Sequence, residues 1–183
     1  MSRQTKQSLL VVAVVLIAVA LDQWLKIYIR THFQLGEAVS VTPWFWLCFV
    51  ENDGMAFGIE WFSKLLLTLF RIVAVGLLSF YLYRLIHRPL QISYGYLTTI
   101  ALITAGALGN IIDCVAYAKI FGYGNWFYGK VVDMLYFPLI CNAAGECIFF
   151  RPVFNIADSC ITVAVFIIIL FYRKEMDHSL RKE

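Results

Sequence analysis

Asp22, Asn110, Asp113, Asp133, Asn155 and Asp158 are polar side chains set in otherwise apolar stretches: "AVALDQWLKIYI", "GALGNIIDC", "GKVVDMLYF" and "FNIADSCITVAVFIIILFYR". A carboxylate in such surroundings is costly unless it is paired, protonated or in contact with water. Two carboxylates held close together cannot both ionise cheaply, so they share a proton. That is the equipment of an aspartic protease, in which one member deprotonates water and the other donates to the scissile carbonyl. Asp133, flanked by Val131, Val132, Met134 and Leu135, has a setting in which burial favours the protonated form. Asp133 with Asp158 is one possible pair; spacing alone leaves pairs containing Asp113 or Asp22 equally open.

These side chains need elements to hold them. Of the 183 residues, 61% are hydrophobic, and the mean hydropathy is +0.76; soluble domains average nearer half apolar. Four runs, about 9–29, 62–86, 94–115 and 155–172, reach the roughly 20 residues that cross a hydrocarbon core. The expected fold is therefore a single α-helical integral membrane domain with four transmembrane helices. The first run ends in "LDQWLK" rather than a small-residue cleavage site, which argues against a removable leader. Lys and Arg set the orientation. Arg3, Lys6, Arg84, Arg88, Arg173, Lys174, Arg181 and Lys182 fall in short segments on one side, so both termini are expected in the cytoplasm. The loops at about 30–61 and 116–154 then face outwards. A net charge of +3, spread along the chain, gives no footprint for nucleic acid.

Counting about 1.5 Å of rise per residue from the inner end of each span, Asp22, Asn110 and Asp158 lie about 20 Å up, with Arg71 slightly lower and Asp113 one turn higher. Four helices sharing one polar level suggest a wet pocket open to the outside. Each group also has a local reading. Asp22 and Lys26 are spaced i,i+4 as a helix-surface ion pair. Asn155 resembles a helix N-cap with Asp158 as an acid in the first turn. Asn110 and Asp113 are spaced to tie helix ends together, and Arg71 reads as a counter-ion for one of the acids. "GKVVDMLYF" reads as an extended segment returning to the bilayer. Cys141 and Cys147 share the second outer loop, where an oxidising compartment permits a disulfide.

Five ordered blocks resemble the lipoprotein signal peptidase (signal peptidase II) family of bacterial inner membranes. "DQWLK" (22–26) is similar to its D-Q-x-x-K, and "ENDGMAFG" (51–58) to its N-x-G-x-A-F. "AGALGNIIDC" (105–114) is similar to G-A-L-G-N-x-x-D-R, "VVDM" (131–134) to V-V-D-F, and "FNIADS" (154–159) to F-N-x-A-D-S. The resemblance implies that Asp133 and Asp158 are the catalytic dyad, with Asn110, Asp113 and Asn155 in support. It makes Asp22 and Lys26 part of a polar floor and puts Asn52 and Gly54 near the substrate. It also implies a small β-cradle in the first periplasmic loop, for which "VSVTPWFWLCFVEN" (39–52) is suited. The implied activity is removal of prolipoprotein signal peptides by cutting before a diacylglyceryl-modified cysteine. It would proceed at the periplasmic face of the inner membrane, among membrane lipid, without metal or cofactor, and with inhibition by globomycin.

The chain departs from the family pattern in three places. Cys114 stands where the family commonly has Arg after the helix 3 Asp, and Arg71 is the candidate to supply that charge. Additional residues occupy about 116–130 and 137–152. The alternative of another class is a quinone-coupled thiol oxidase, which would use Cys141 and Cys147 but needs a second close-spaced pair, where the first outer loop offers only Cys48. A proton-coupled carrier gives no reason for "VVDM" and "FNIADS" to occur together. A cytochrome lacks an axial pair, since His32, His87 and His178 lie in loops or tails.

Overall fold

A computed structural model of the chain describes residues 1–53, 64–87, 91–141, 147–149 and 152–180. Gly54 and most of the "ENDGMAFG" block, Arg88, Arg151 and the last three residues lie outside the described residues, as do the side chains of Cys141 and Cys147.

The four apolar runs are helices: α1 (Arg3–His32), α2 (Lys64–His87), α3 (Tyr94–Ile120) and α4 (Ile156–Leu180), each long and apolar enough to cross a membrane. They exceed the hydropathic runs mainly at polar ends. Ser2 caps α1, its Oγ accepting the Thr5 N–H at 3.1 Å, so the helix begins six residues before the apolar run. α4 continues past Tyr172 through the polar turns to Leu180, where hydropathy carries no signal. Both α3 and α4 contain a π-helical turn, at Asp113–Tyr117 and Ile168–Tyr172. Such turns leave carbonyls open to other donors and recur at functional sites.

The elements gather into two compact units. One comprises Met1–Ala20, Leu69–Ile111 and Ala157–Glu183. Its core packs Leu82, Leu85, Tyr96, Leu97, Ile100 and Ala101 with Ile168. Ser93 caps α3, accepting the Tyr96 N–H at 3.1 Å while donating to Glu175 at 2.8 Å. Small residues along α3 allow close backbone approach: a Cβ at Gly106 would overlap the Ala157 carbonyl.

The other unit comprises Leu21–Thr68 and Ile112–Ile156. It holds an antiparallel sheet of order β1-β2-β3, formed by β1 (Ala38–Thr42), β2 (Phe45–Asn52) and β3 (Val131–Tyr136). The first two strands are the expected β-cradle; the third comes from the second loop. β3 lies against β2 with Trp46 opposite Tyr136, Val50 opposite Asp133 and Glu51 opposite Val132. The register shifts between Leu47 and Val50, a bulge that re-aims the side chains beyond it. Ile29, Phe49, Tyr117, Val132 and Met134 form the core beneath the sheet. A short hairpin, β4 (Ile140–Cys141) and β5 (Cys147–Phe149), places the backbones of Cys141 and Cys147 opposite each other.

Candidate active site

Asp133 lies in the middle of β3, and its side chain is buried. Two asparagine amides hold it. Asn155 Nδ2 donates to Oδ1 at 2.7 Å, and Asn52 Nδ2 donates to Oδ2 at 3.2 Å. Both donors follow from local structure. Asn52 ends β2, opposite Val131. Asn155 follows Phe154, which bridges to Leu135 of β3 with its N–H and carbonyl both engaged. The residue that reads as a helix cap in sequence directs its amide to the Asp133 carboxylate.

The strand is fixed from its other side. In the π-helical turn, the Cys114 and Val115 carbonyls accept the N–H groups of Gly129 and Phe127, both at 2.9 Å. Gly129 passes so close to the turn that a Cβ there would overlap the Asp113 carbonyl. Asp113 Oδ2 accepts the N–H of Val132, next to the candidate catalytic residue, at 3.2 Å. The contacts of Phe127 and Gly129 with the π-helical turn thus deliver β3 to a defined place.

Asp113 also belongs to a buried ion cluster. Lys26 Nζ lies 2.9 Å from Asp22 Oδ2 and 2.8 Å from Asp113 Oδ2, and the three side chains are almost wholly excluded from solvent. Gln23 Nε2 donates to Asp113 Oδ1 at 2.9 Å and to Asp22 at 3.1 Å, while its Oε1 accepts the Tyr117 hydroxyl at 3.0 Å. The i,i+4 ion pair read from the sequence is present, and the same ammonium also neutralises a second acid. Sequence reasoning passed over Gln23 and Tyr117. The signal for Gln23 was its place within "DQWLK"; Tyr117 is an ordinary aromatic in the sequence.

In the other unit, Asp158 occupies the first turn of α4 and is half-buried. Asn110 Nδ2 donates to its Oδ1 at 2.8 Å. The close passage of Gly106 against Ala157 explains this contact. Asn110 is one turn beyond Gly106, and Asp158 is the next residue after Ala157. Arg71 lies half-buried on α2, and Cys114 is buried. Asn110 and Asp113, adjacent on α3, thus serve different carboxylate systems.

Four apolar helices long enough to cross a membrane, together with a small three-stranded sheet, define a polytopic membrane protein that carries carboxylates held by buried polar partners. The chain belongs to the signal peptidase (SPase) II family, whose description matches residues 14–173, and it is a peptidase. It is 42% identical to the lipoprotein signal peptidase of Porphyromonas gingivalis, over 91% of this chain and 84% of that one. It is 35% identical to that of Amoebophilus asiaticus, over 92% and 80%. The Streptococcus pneumoniae lipoprotein signal peptidase is 34% identical, over 93% and 96%. A bacterial membrane enzyme structure obtained by the in meso method at 2.3 Å superposes with a TM-score of 0.66 at 28% identity, covering 94% of this chain and 93% of that one. Nothing in these comparisons supports the thiol-oxidase alternative.

Proposed function

We propose that Asp133 and Asp158 are an aspartic dyad that removes prolipoprotein signal peptides, cutting before the diacylglyceryl-modified cysteine. The observation that carries this reading is that each of the two carboxylates accepts a hydrogen bond from an asparagine amide, Asp133 from Asn155 and Asn52, and Asp158 from Asn110. Neutral donors orient a carboxylate without fixing a full counter-charge beside it, which suits groups that must exchange a proton.

In this mechanism one carboxylate is ionised and the other protonated. The ionised member takes a proton from the water as its oxygen attacks the scissile carbonyl carbon. The protonated member gives its proton to the carbonyl oxygen. The tetrahedral intermediate, a gem-diol, then collapses. The nitrogen of the lipidated cysteine receives the proton first taken from water and leaves as the amine. One hydroxyl returns its proton to the carboxylate that had donated it, which gives the carboxylic acid and restores the dyad. Acyl tails on that cysteine hold the scissile bond at the outer boundary of the bilayer, so orientation supplies much of the rate. Support for an outward site in the inner membrane comes from the cationic cytoplasmic segments. Arg71 provides the positive charge absent at Cys114. Globomycin-type peptides compete for the same place.

The test uses purified protein with a diacylglyceryl-modified precursor and its unmodified twin, with and without globomycin. Cleavage of the modified precursor alone, blocked by globomycin and absent in folded Asp133→Asn and Asp158→Asn, is expected. Normal turnover by either variant would overturn the assignment. Arg71→Gln with full activity and stability would remove Arg71 from the site.

A further inference from the structure

Arg30 lies on the last turn of α1, four residues beyond Lys26 and eight beyond Asp22, so all three fall on one helical stripe. Lys26 reaches Asp113 and, through it, the Val132 N–H. Arg30 reaches the same strand pair by another route. Its Nη1 is paired with Glu51 Oε1, and the two side chains are only 13% and 12% exposed. Its guanidinium carbon lies 4.5 Å from the ring centre of Phe121, 4.6 Å from that of Tyr123 and 5.8 Å from that of Phe49. The outer oxygen of Glu51 faces Lys130 Nζ at 3.4 Å. The Tyr123 hydroxyl accepts the Lys130 N–H at 3.0 Å, which closes the ring of contacts.

Glu51 stands opposite Val132 in the ladder, and the next residue, Asn52, donates to Asp133 Oδ2. Phe121 and Tyr123 come from the segment that departs from the family pattern. From this juxtaposition we infer that Arg30 is a positioning residue for Asp133: its aromatic-caged ion pair with Glu51 locks the end of β2 so that the Asn52 amide stays on the Asp133 carboxylate. The segment at 116–130 is thus part of the site's frame. Arginine suits the role because its planar group pairs through an N–H edge while its faces stack on rings. The rings also keep water from the ion pair, which strengthens it.

The inference rests on the catalytic reading of Asp133, and the experiment separates the two. Cleavage of a lipidated precursor is followed for wild type, Asp133→Asn, Arg30→Gln, Arg30→Lys and Phe121→Leu/Tyr123→Leu. Displacements of about 1 Å at a reacting group cost on the order of 100-fold, so Arg30→Gln is expected to lower kcat by roughly 10- to 100-fold with KM within about twofold. A hydrogen bond to the ionised form favours it, so weakening the Asn52 contact moves the acid limb of the kcat profile to higher pH. Arg30→Lys retains the charge without the fork and recovers part of kcat. In the double ring variant the ion pair is opened to solvent, and kcat becomes sensitive to added salt where the wild type is not. That variant decides the matter if Arg30→Gln does not fold. A wild-type kcat and pH profile in Arg30→Gln, or salt-insensitive wild-type kcat in the ring variant, overturns the inference while an inactive Asp133→Asn leaves the dyad standing. An active Asp133→Asn overturns the dyad itself.

Discussion

Replacing Lys26 by Met removes one ammonium from a place where two carboxylates depend on it. Lys26 Nζ is 2.9 Å from Asp22 and 2.8 Å from Asp113, and the three side chains are at most 2% exposed. Removing one partner of a buried ion pair costs about 3–5 kcal/mol, because the remaining charge is left uncompensated. Gln23 and the Val132 N–H still donate to Asp113, so the lower part of that range applies to Asp113, with Asp22 adding a smaller share. For a chain of this size about 1 kcal/mol moves the melting temperature by roughly 2–4 °C, which makes the expected drop on the order of 10 °C. Thermal unfolding in detergent, followed by tryptophan fluorescence, measures it. The cause is isolated by the triple variant Lys26→Met, Asp22→Asn, Asp113→Asn. It contains no stranded charge, and it should melt well above Lys26→Met even though two further native residues have been replaced. Were Lys26→Met to melt within a degree or two of wild type, or the triple variant to melt lowest of all, the cluster would not be a charge-balanced one.

Gly106→Val places a branched side chain against the Ala157 carbonyl; overpacking of this kind costs about 1–3 kcal/mol. Because it also displaces Asn110 from Asp158, cleavage should fall more than the melting temperature suggests, as paired activity and melting assays would show. Asn155→Ala removes the 2.7 Å donor to Asp133 Oδ1 and should lower kcat at least tenfold in a steady-state assay with the lipidated precursor, with the acid limb of the profile moving up. Asp53, outside the spans, has its carboxyl held below its ordinary 3.8, chiefly by the hydrogen bond from Lys64. A depressed folded value gives stability that is present above pH 3.8 and lost as the pH falls through the folded value. Melting curves of wild type and Asp53→Asn should therefore run parallel from pH 5 to 8 and converge only below about pH 4.

The helices were legible because a bilayer demands about 20 apolar residues in a row, and that demand is written along the chain. Polar ends are not: Arg3–Lys6 and Arg173–Leu180 join their helices through caps and through contacts such as Ser93 with Glu175. The strand character of "VVDMLY" was readable from its β-branched and aromatic residues. Its place as third strand beside "FWLCFVEN" was not, since register between segments about eighty residues apart is set by packing and turns rather than by either segment alone. Asp22 with Lys26 illustrates a local rule that was right and incomplete. The i,i+4 spacing shows the pair, but the second acid, Asp113, is reached through the fold. The sequence reading of Asn155 stops at the helix start, whereas in the fold its amide donates to Asp133.

The distribution of charge separates two tasks. Where the frame must be rigid, the chain uses full cations: Lys26 between two acids on one turn of α1, and Arg30 with Glu51 on the next. At the two carboxylates proposed to exchange a proton, the contacts are asparagine amides. A lysine at position 52 or 155 would hold Asp133 more strongly, yet it would stabilise the ionised form by the interaction of a full charge in a weakly screened site. The carboxyl would then be a poor acid, and the sharing of one proton between two acids would be lost. An amide donor fixes direction at a smaller electrostatic bias. On this argument the cations belong one strand residue away from Asp133, and they act there through acids: Lys26 through Asp113, which holds the Val132 N–H, and Arg30 through Glu51, which stands opposite Val132.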